Sequence, residues 1–94
     1  MWHVYILELT NGQLYVGVTD DLARRVNEHR HKHGGFYTSQ CEVKRLLYSE
    51  EHDQALKAYA REKQLKRWSK AKKIALANKD FDLLKKLSRS KSIN

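Results

Sequence analysis

The sequence has no proline, one cysteine and no long hydrophobic run. A lone cysteine, Cys41, cannot form a disulfide within the chain, which is typical of a small intracellular domain. A membrane-spanning helix needs about 18 consecutive apolar residues, and no segment approaches that length. The N-terminus also lacks the pattern of a secretory signal. These absences predict a cytoplasmic protein that has no membrane partner.

No proline-rich or repetitive stretch divides the 94 residues into separate units. A chain of this length supports one modest hydrophobic core rather than two. Apolar residues make up 40% and charged residues 32%, a balance typical of a folded globule rather than a disordered segment. We therefore expect one domain over residues 1–87, followed by a flexible C-terminal tail over residues 88–94.

The net charge of +8 comes from the second half of the chain. Residues 1–50 hold six Lys/Arg and six Asp/Glu, whereas residues 51–94 hold thirteen and five. The densest stretch, residues 57–73, contains eight basic residues and a single acid, Glu62. A basic surface on one side of a protein favours a polyanionic partner, usually nucleic acid, although a solvated helix face gives the same composition.

A β-hairpin is predicted at the N-terminus, with strands over residues 2–9 and 14–18. A two-residue loop would put Tyr5 and Tyr15 on opposite faces, whereas a three-residue loop with Gly12 in the left-handed conformation puts them on one face. The second register is favoured because it also gathers a coherent apolar set on the other face. It also places Gly17 opposite Tyr5.

The rest of the chain predicts helices and one further strand. Short polar residues at 19–21 start a first helix, which runs to about Lys32 and stops near Gly34-Gly35, before a loop over 34–41. The later elements are a strand over 43–48, a long helix over about 53–68, a shorter helix that ends at about 78, and a last helix capped by Asp80. Together they predict an α+β domain.

Two of these helices carry polar groups on a face that also carries apolar residues. In the first helix, Arg25 and His29 share a stripe with two apolar residues. In the second, Glu62 falls on the stripe that should face the core. A buried carboxylate is unfavourable unless it pairs with a base such as Lys66 or binds a cation, and helical spacing leaves both interpretations open.

The order and spacing of these residues resemble the GIY-YIG nuclease superfamily, and most closely its small single-domain bacterial branch. Val4-Tyr5-Ile6 and Tyr15-Val16-Gly17 occupy the positions of the two tripeptides that give the superfamily its name. Arg25 follows Tyr15 by ten residues, His29 lies four further on, and Glu62 stands in Arg-Glu-Lys-Gln-Leu-Lys. The resemblance covers nearly the whole chain, although His3 replaces the first glycine of the family name.

The resemblance implies a three-stranded antiparallel sheet flanked by helices and the hydrolysis of DNA phosphodiester bonds with one divalent metal ion, Mg²⁺ or Mn²⁺. Glu62 would be its sole protein ligand. Tyr5 and Tyr15 would lie near the nucleophilic water, one of them as general base. Arg25 would support the scissile phosphate, and His29 would lie near the water or the leaving group. Gly17, opposite Tyr5, would leave room for the phosphate to approach.

DNA binding is expected from basic residues that lie mostly off the Glu62 face of the helices: Lys63, Lys66, Arg67, Lys70, Lys72 and Lys73. We expect a monomer or a weak homodimer, and structure-selective cleavage in DNA repair or recombination is a role that this branch suggests. One departure favours an alternative. Ile74 stands where many superfamily nucleases carry asparagine, so the chain could instead be a non-catalytic nucleic-acid-binding module with the same fold.

Overall fold

The structure is a computed structural model that describes residues 1–30 and 42–93, with side chains described through residue 88. The elements are β1 (Trp2–Leu9), β2 (Leu14–Thr19), α1 (Leu22–Arg30), β3 (Val43–His52), α2 (Ala55–Lys66), α3 (Lys70–Ala77) and α4 (Phe81–Ile93). The strands form one antiparallel sheet in the order β2-β1-β3. The predicted α+β class, a three-stranded antiparallel sheet with flanking helices, is confirmed. None of the helices in the described part is long and apolar enough to cross a membrane.

The β1–β2 hairpin has the register that the three-residue loop predicts. Tyr5 pairs with Gly17, and Leu7 pairs with Tyr15. Gly12 has a φ of 87°, in the left-handed region that residues with a Cβ adopt rarely. Tyr5 and Tyr15 consequently lie on the same face of the sheet.

The sheet separates two apolar clusters. The cluster on one face is formed by buried residues of β1, β2, α2 and α3: Val4, Ile6, Val16, Ala58, Leu65 and Leu76. On the other face, buried residues of β1 pack against β2, β3 and helix α1: Tyr5, Leu7 and Leu9, with Tyr15, Leu22, Val26 and Val43 around them. β1 is therefore the central strand in two senses, since it is paired on both edges and covered on both faces.

Two elements extend further than the sequence pattern predicts. β3 continues past Tyr48 to His52, because β1 pairs with it as far as Trp2. Pairing partners distant in sequence, rather than local propensity, set the end of this strand. The backbone of α4 is helical to Ile93, so the residues expected to form a C-terminal tail continue that helix. The domain boundary at residue 87 stays a prediction.

Other expectations fall on residues 31–41 and lie outside the described residues. These are the end of the first helix near Lys32, the Gly34-Gly35 stop and the loop over 34–41. The start of the helix agrees with the prediction, since the side chain of Asp21 accepts a hydrogen bond from the Arg24 backbone N–H. Asp80 likewise accepts from the Leu83 N–H at the start of α4. Both are N-cap interactions, which satisfy backbone donors in the first turn of a helix.

The Tyr5 ring lies directly over Gly17. A Cβ atom at position 17 would overlap the Tyr5 hydroxyl and the ring carbon that carries it. The expectation that Gly17 leaves room for a phosphate is therefore corrected, since the phenol of Tyr5 occupies that space. Gly17 is needed for the placement of Tyr5.

We expect Gly17→Ala to lower the free energy of unfolding by about 1–3 kcal/mol, because the added methyl overpacks against the Tyr5 ring. Urea unfolding would measure the loss. In a Tyr5→Ala background the ring is gone, so the same Gly17→Ala change should have a much smaller effect. An equal loss in both backgrounds would contradict the contact as the cause.

Candidate active site

Three of the predicted site residues form one cluster of rings on the α1 face of the sheet. The hydroxyl of Tyr5 lies 3.0 Å from Nε2 of His29. The ring centroids of Tyr5 and Tyr15 are 6.3 Å apart, and the ring of His29 meets that of Tyr15 edge-on at 5.0 Å. β1, β2 and α1 each contribute one ring, so the hairpin register and the position of α1 together build the cluster.

Arg25 lies one helical turn before His29 and joins the same cluster. Its guanidinium lies close to Tyr5, and this contact, followed by that with Glu28, raises the pKa of Arg25. Arg25 Nη1 is 3.2 Å from Glu28 Oε1. Glu28 was not identified from the sequence, although its spacing of three residues from Arg25 on a helix is the signal for such a pair. The arginine is thus held from two sides while it carries its charge.

The buried groups of the cluster are held in their neutral forms. Burial raises the pKa of Tyr5 to about 12; Arg25 opposes the rise, and the charge of Glu62 adds a smaller part to it. Burial, and then the charge of Arg25, lower the pKa of His29, which is 3% exposed. Near neutral pH, Tyr5 therefore keeps its proton and can donate it in a hydrogen bond to the neutral imidazole.

Glu62 lies on α2, which packs on the other face of the sheet, and its charge contributes the smallest part of the change in the pKa of Tyr5. The side chain of Glu62 is 19% exposed, and Oε2 lies 3.3 Å from Nζ of Lys66, whose side chain is 56% exposed. The pairing with Lys66 that the helical spacing allows is thus formed. A pair of this kind, four residues apart on a helix with one exposed partner, contributes only about 0.3–0.5 kcal/mol. The carboxylate can therefore exchange Lys66 for another cation at little cost.

The surroundings of Glu62 fit a hard divalent cation held by one carboxylate. In the part of the chain that the structure describes, no group of three or more His, Cys, Asp or Glu could hold a metal ion. Mg²⁺ keeps several of its waters and is commonly bound by one or two carboxylates together with phosphate oxygens. A single carboxylate such as that of Glu62 is therefore compatible with such an ion when phosphate oxygens supply further ligands.

A basic groove runs beside the edge strand β2. Lys66 and Lys73 line it together with Leu14, Tyr15 and Val16, around a volume of about 390 Å³. Burial lowers the pKa of Lys73. Lys66 lines this groove and also contacts Glu62, whose side chain lines a separate pocket with Leu56, Tyr59 and Lys63. The groove joins the ring cluster to the charged faces of α2 and α3.

The remaining basic residues of the predicted DNA-binding set divide into two groups. Lys63, Arg67 and Lys70 are exposed, as a phosphate-binding role requires. Lys72 is only 7% exposed, and its Nζ lies 4.3 Å from the centroid of the Trp68 ring. This cation–π contact accounts for the burial of Lys72, which still lines a surface groove together with Lys63 and Arg67.

Known proteins are similar to this chain in sequence and in fold. Residues 1–75 match the GIY-YIG catalytic domain. A UPF0213 protein of Halobacterium salinarum is 40% identical over 76 residues, which cover 81% of this chain and 99% of that protein. A UPF0213 protein of Staphylococcus aureus is 33% identical over 73 residues, covering 78% and 89%. The solution NMR structure of a UPF0213 protein from Bacillus halodurans superposes with a TM-score of 0.53 at 32% identity, covering 83% and 84%.

The burial of His29 makes the stability of the protein dependent on pH. Since its pKa is lowered in the folded state, the unfolded chain takes up the proton first, and stability is lost as the pH falls below the ordinary value of 6.5. In urea unfolding from about pH 8 to pH 5, we expect the free energy of unfolding of His29→Gln to lack this part of the decline. His3→Gln, a change at a partly exposed histidine, should keep the wild-type profile. A parallel decline in His29→Gln and wild type would contradict the assignment.

Proposed function

The chain belongs to the GIY-YIG nuclease family, and from this membership we propose that it is a metal-dependent DNA endonuclease that hydrolyses phosphodiester bonds. The supporting observation is the convergence of Tyr5, Tyr15, Arg25 and His29 on one side of the hairpin, with Glu62 close enough to raise the pKa of Tyr5. This is the set of residues that the family chemistry needs, contributed by four different elements.

Arg25 is proposed to stabilise the scissile phosphate. In phosphodiester hydrolysis a water attacks phosphorus, the bond to the leaving oxygen breaks, and negative charge builds on the phosphate oxygens. A fixed guanidinium aimed at that charge lowers the barrier. Arg25 suits this role because Tyr5 and Glu28 both hold its side chain in place.

Tyr15 is proposed as the tyrosine that faces the nucleophilic water. Tyr5 is fully buried, with its pKa raised to about 12, and it has His29 as a hydrogen-bond partner. Tyr15 is partly exposed and lines the groove where Lys66 and Lys73 would attract a phosphate. Because His29 is buried behind Tyr5, we assign it a positioning role through the two tyrosine rings rather than direct contact with the leaving group.

Glu62 is proposed to hold the Mg²⁺ or Mn²⁺ ion. When bound, such an ion supplies positive charge to the phosphate oxygens. Lys66 would leave the carboxylate and remain in the groove as a phosphate contact. Lys63, Arg67, Lys70 and Lys73 would extend this contact along the DNA backbone. The cytoplasmic location, a monomeric or weakly dimeric state and a role in DNA repair or recombination stay predictions.

One observation supports the alternative of a nucleic-acid-binding module without turnover. Ile74, at the position where many superfamily nucleases carry asparagine, is an exposed aliphatic residue on α3. The nearest asparagine, Asn78, lies one turn later as the C-cap of that helix. A binding module would use the same basic surface to bind nucleic acid. It differs from an endonuclease only in that no cleavage is expected.

The role of Glu62 is tested by Glu62→Gln, which keeps the shape of the side chain and removes its charge. We expect wild-type protein to cleave members of a panel of branched, nicked, flapped and single-stranded DNAs with Mg²⁺ or Mn²⁺, and not with EDTA. Glu62→Gln should lower the rate on the order of 10²–10³-fold, as expected for loss of a group that stabilises the transition state, and leave DNA affinity in EDTA nearly unchanged.

Glu51→Gln, a neutralisation of an exposed carboxylate on β3, is the matched control and should cleave at the wild-type rate. If Glu62→Gln cleaves as well as wild type, Glu62 is a structural partner of Lys66. If wild-type protein binds these DNAs and cleaves none of them with either metal, the binding module is the correct function.

The basic surface is tested by reversing the charges of Lys66, Lys70 and Lys73 to Glu. We expect DNA affinity to fall steeply with salt in the wild type, because binding to phosphates releases counterions, and the salt dependence to weaken in the variant. The loss should be alike for all DNA sequences, since backbone contacts carry no base information. Reversal at Lys79, Lys85 and Lys86 changes the net charge equally and should have a smaller effect. Equal losses in the two triple variants would contradict a defined surface.

A further inference from the structure

A second cluster of polar side chains lies between β3 and α2, on the face of the sheet opposite Tyr5 and Tyr15. At its centre is the side chain of Glu50, which is 17% exposed. The hydroxyl of Tyr48 donates to Glu50 Oε1 at 2.7 Å, and Nε2 of His52 lies 2.6 Å from Oε2. From α2, Nε of Arg61 donates to Oε2 at 3.1 Å. One carboxylate thus connects two side chains of its own strand to the helix.

The arginine of this cluster is held by further contacts. Arg61 Nη1 donates to Gln64 Oε1 at 2.9 Å, and its guanidinium lies 5.3 Å from the centroid of the Trp68 ring. Burial alone would raise the pKa of Glu50, but the hydrogen bonds from Tyr48 and His52 and the charge of Arg61 outweigh it, so the net shift is downward. The ion pair between Glu50 and Arg61 is therefore charged on both sides at neutral pH.

The position of this pair relative to Glu62 follows from the geometry of α2. The helix packs on the sheet through Ala58 and Leu65, which are fully buried and seven residues apart, so that they lie along one line of the helix. At about 100° per residue, Arg61 lies about 60° to one side of that line and Glu62 about 40° to the other. The sheet order places β3 on the Arg61 side and β2 on the Glu62 side.

The line through Ala58 and Leu65 fixes the distance of the helix from the sheet better than its rotation. On the Glu62 side of that line, the Tyr59 ring meets the Trp2 ring of β1 with centroids 5.9 Å apart. The pair between Glu50 and Arg61 acts to one side of that line and opposes rotation of α2 about its own axis. Side chains of a helix end about 5–6 Å from its axis, so a rotation of 10° moves the Glu62 carboxylate by about 1 Å. Misplacement of a reacting group by about this distance lowers rates on the order of 10²-fold.

We propose that Glu50 is a positioning residue for Glu62: by holding Arg61 against β3, it sets the rotation of α2 and hence the direction in which the Glu62 carboxylate points. This inference rests on the proposed metal-binding role of Glu62. It assigns a role in the reaction to a side chain on the strand farthest from the groove.

The test is Glu50→Gln, which keeps the shape of the side chain and removes the charge that holds Arg61. We expect the Mg²⁺ concentration for half-maximal cleavage to rise and kcat to fall by about ten- to a hundredfold, while DNA affinity in EDTA stays within about twofold, because the basic surface is untouched. A variant that only loosened the fold would weaken binding and cleavage together.

A second readout needs no cleavage. Mn²⁺ bound at Glu62 should broaden the NMR signals of the Tyr5 and Tyr15 rings at low metal concentration, with Glu62→Gln as the blank. In Glu50→Gln this broadening should require several-fold more Mn²⁺. The double variant Glu50→Gln/Arg61→Gln leaves no unpaired buried charge, which guards against a failure of the single variant to fold. It should show the same loss as the single variant and no more.

Arg45→Gln is the matched control. It breaks the ion pair between Arg45 and Glu8, whose Nε and Oε1 atoms are 2.7 Å apart, a pair that joins β3 to β1 rather than to α2. This control should keep the wild-type metal dependence. The inference is overturned if Glu50→Gln matches wild type in both readouts, if Arg45→Gln shows the same losses, or if wild type shows no broadening. If wild type shows the broadening and Glu50→Gln weakens it but no DNA is cleaved, the positioning role stands and the endonuclease proposal fails.

Discussion

The close contact between the Tyr5 ring and Gly17 is the constraint on which the rest of the site depends. It exists only in the register that the three-residue turn at Gly12 allows. In that register the phenol crosses the neighbouring strand and meets His29 of α1, so one contact orients the ring, the histidine and the start of the basic groove. A glycine here acts through the space that it leaves for a neighbour.

The electrostatics of the site follow from one acid placed among many bases. Glu62 is the only carboxylate in the stretch over residues 57–73, and its contact with Lys66 is weak enough to be exchanged. The strong pair, Glu50 with Arg61, lies on the other side of α2 and is enclosed by further hydrogen bonds. The helix therefore has a rigid flank and an adaptable flank, and the adaptable one faces the groove.

Local signals were sufficient to predict the hairpin register, the helix caps and the stripe that carries Glu62, because each depends on residues within a few positions of one another. Features that depend on distant partners were not predictable in this way. The end of β3 is set by pairing with β1, and Lys72 is buried because its ammonium group lies over Trp68. The pair between Glu50 and Arg61 joins residues eleven apart on different elements, and no spacing rule identifies it.

β1 has consequences for how this protein can change in evolution. Alternate residues of the strand serve different purposes, since Val4 and Ile6 fill the core under α2 while Tyr5 builds the site on the other face. An insertion or deletion of one residue within it would exchange the two sets, burying the phenol in the core and exposing the aliphatic residues. Changes in length can be absorbed between the elements, but within this strand they would remove stability and chemistry in a single event.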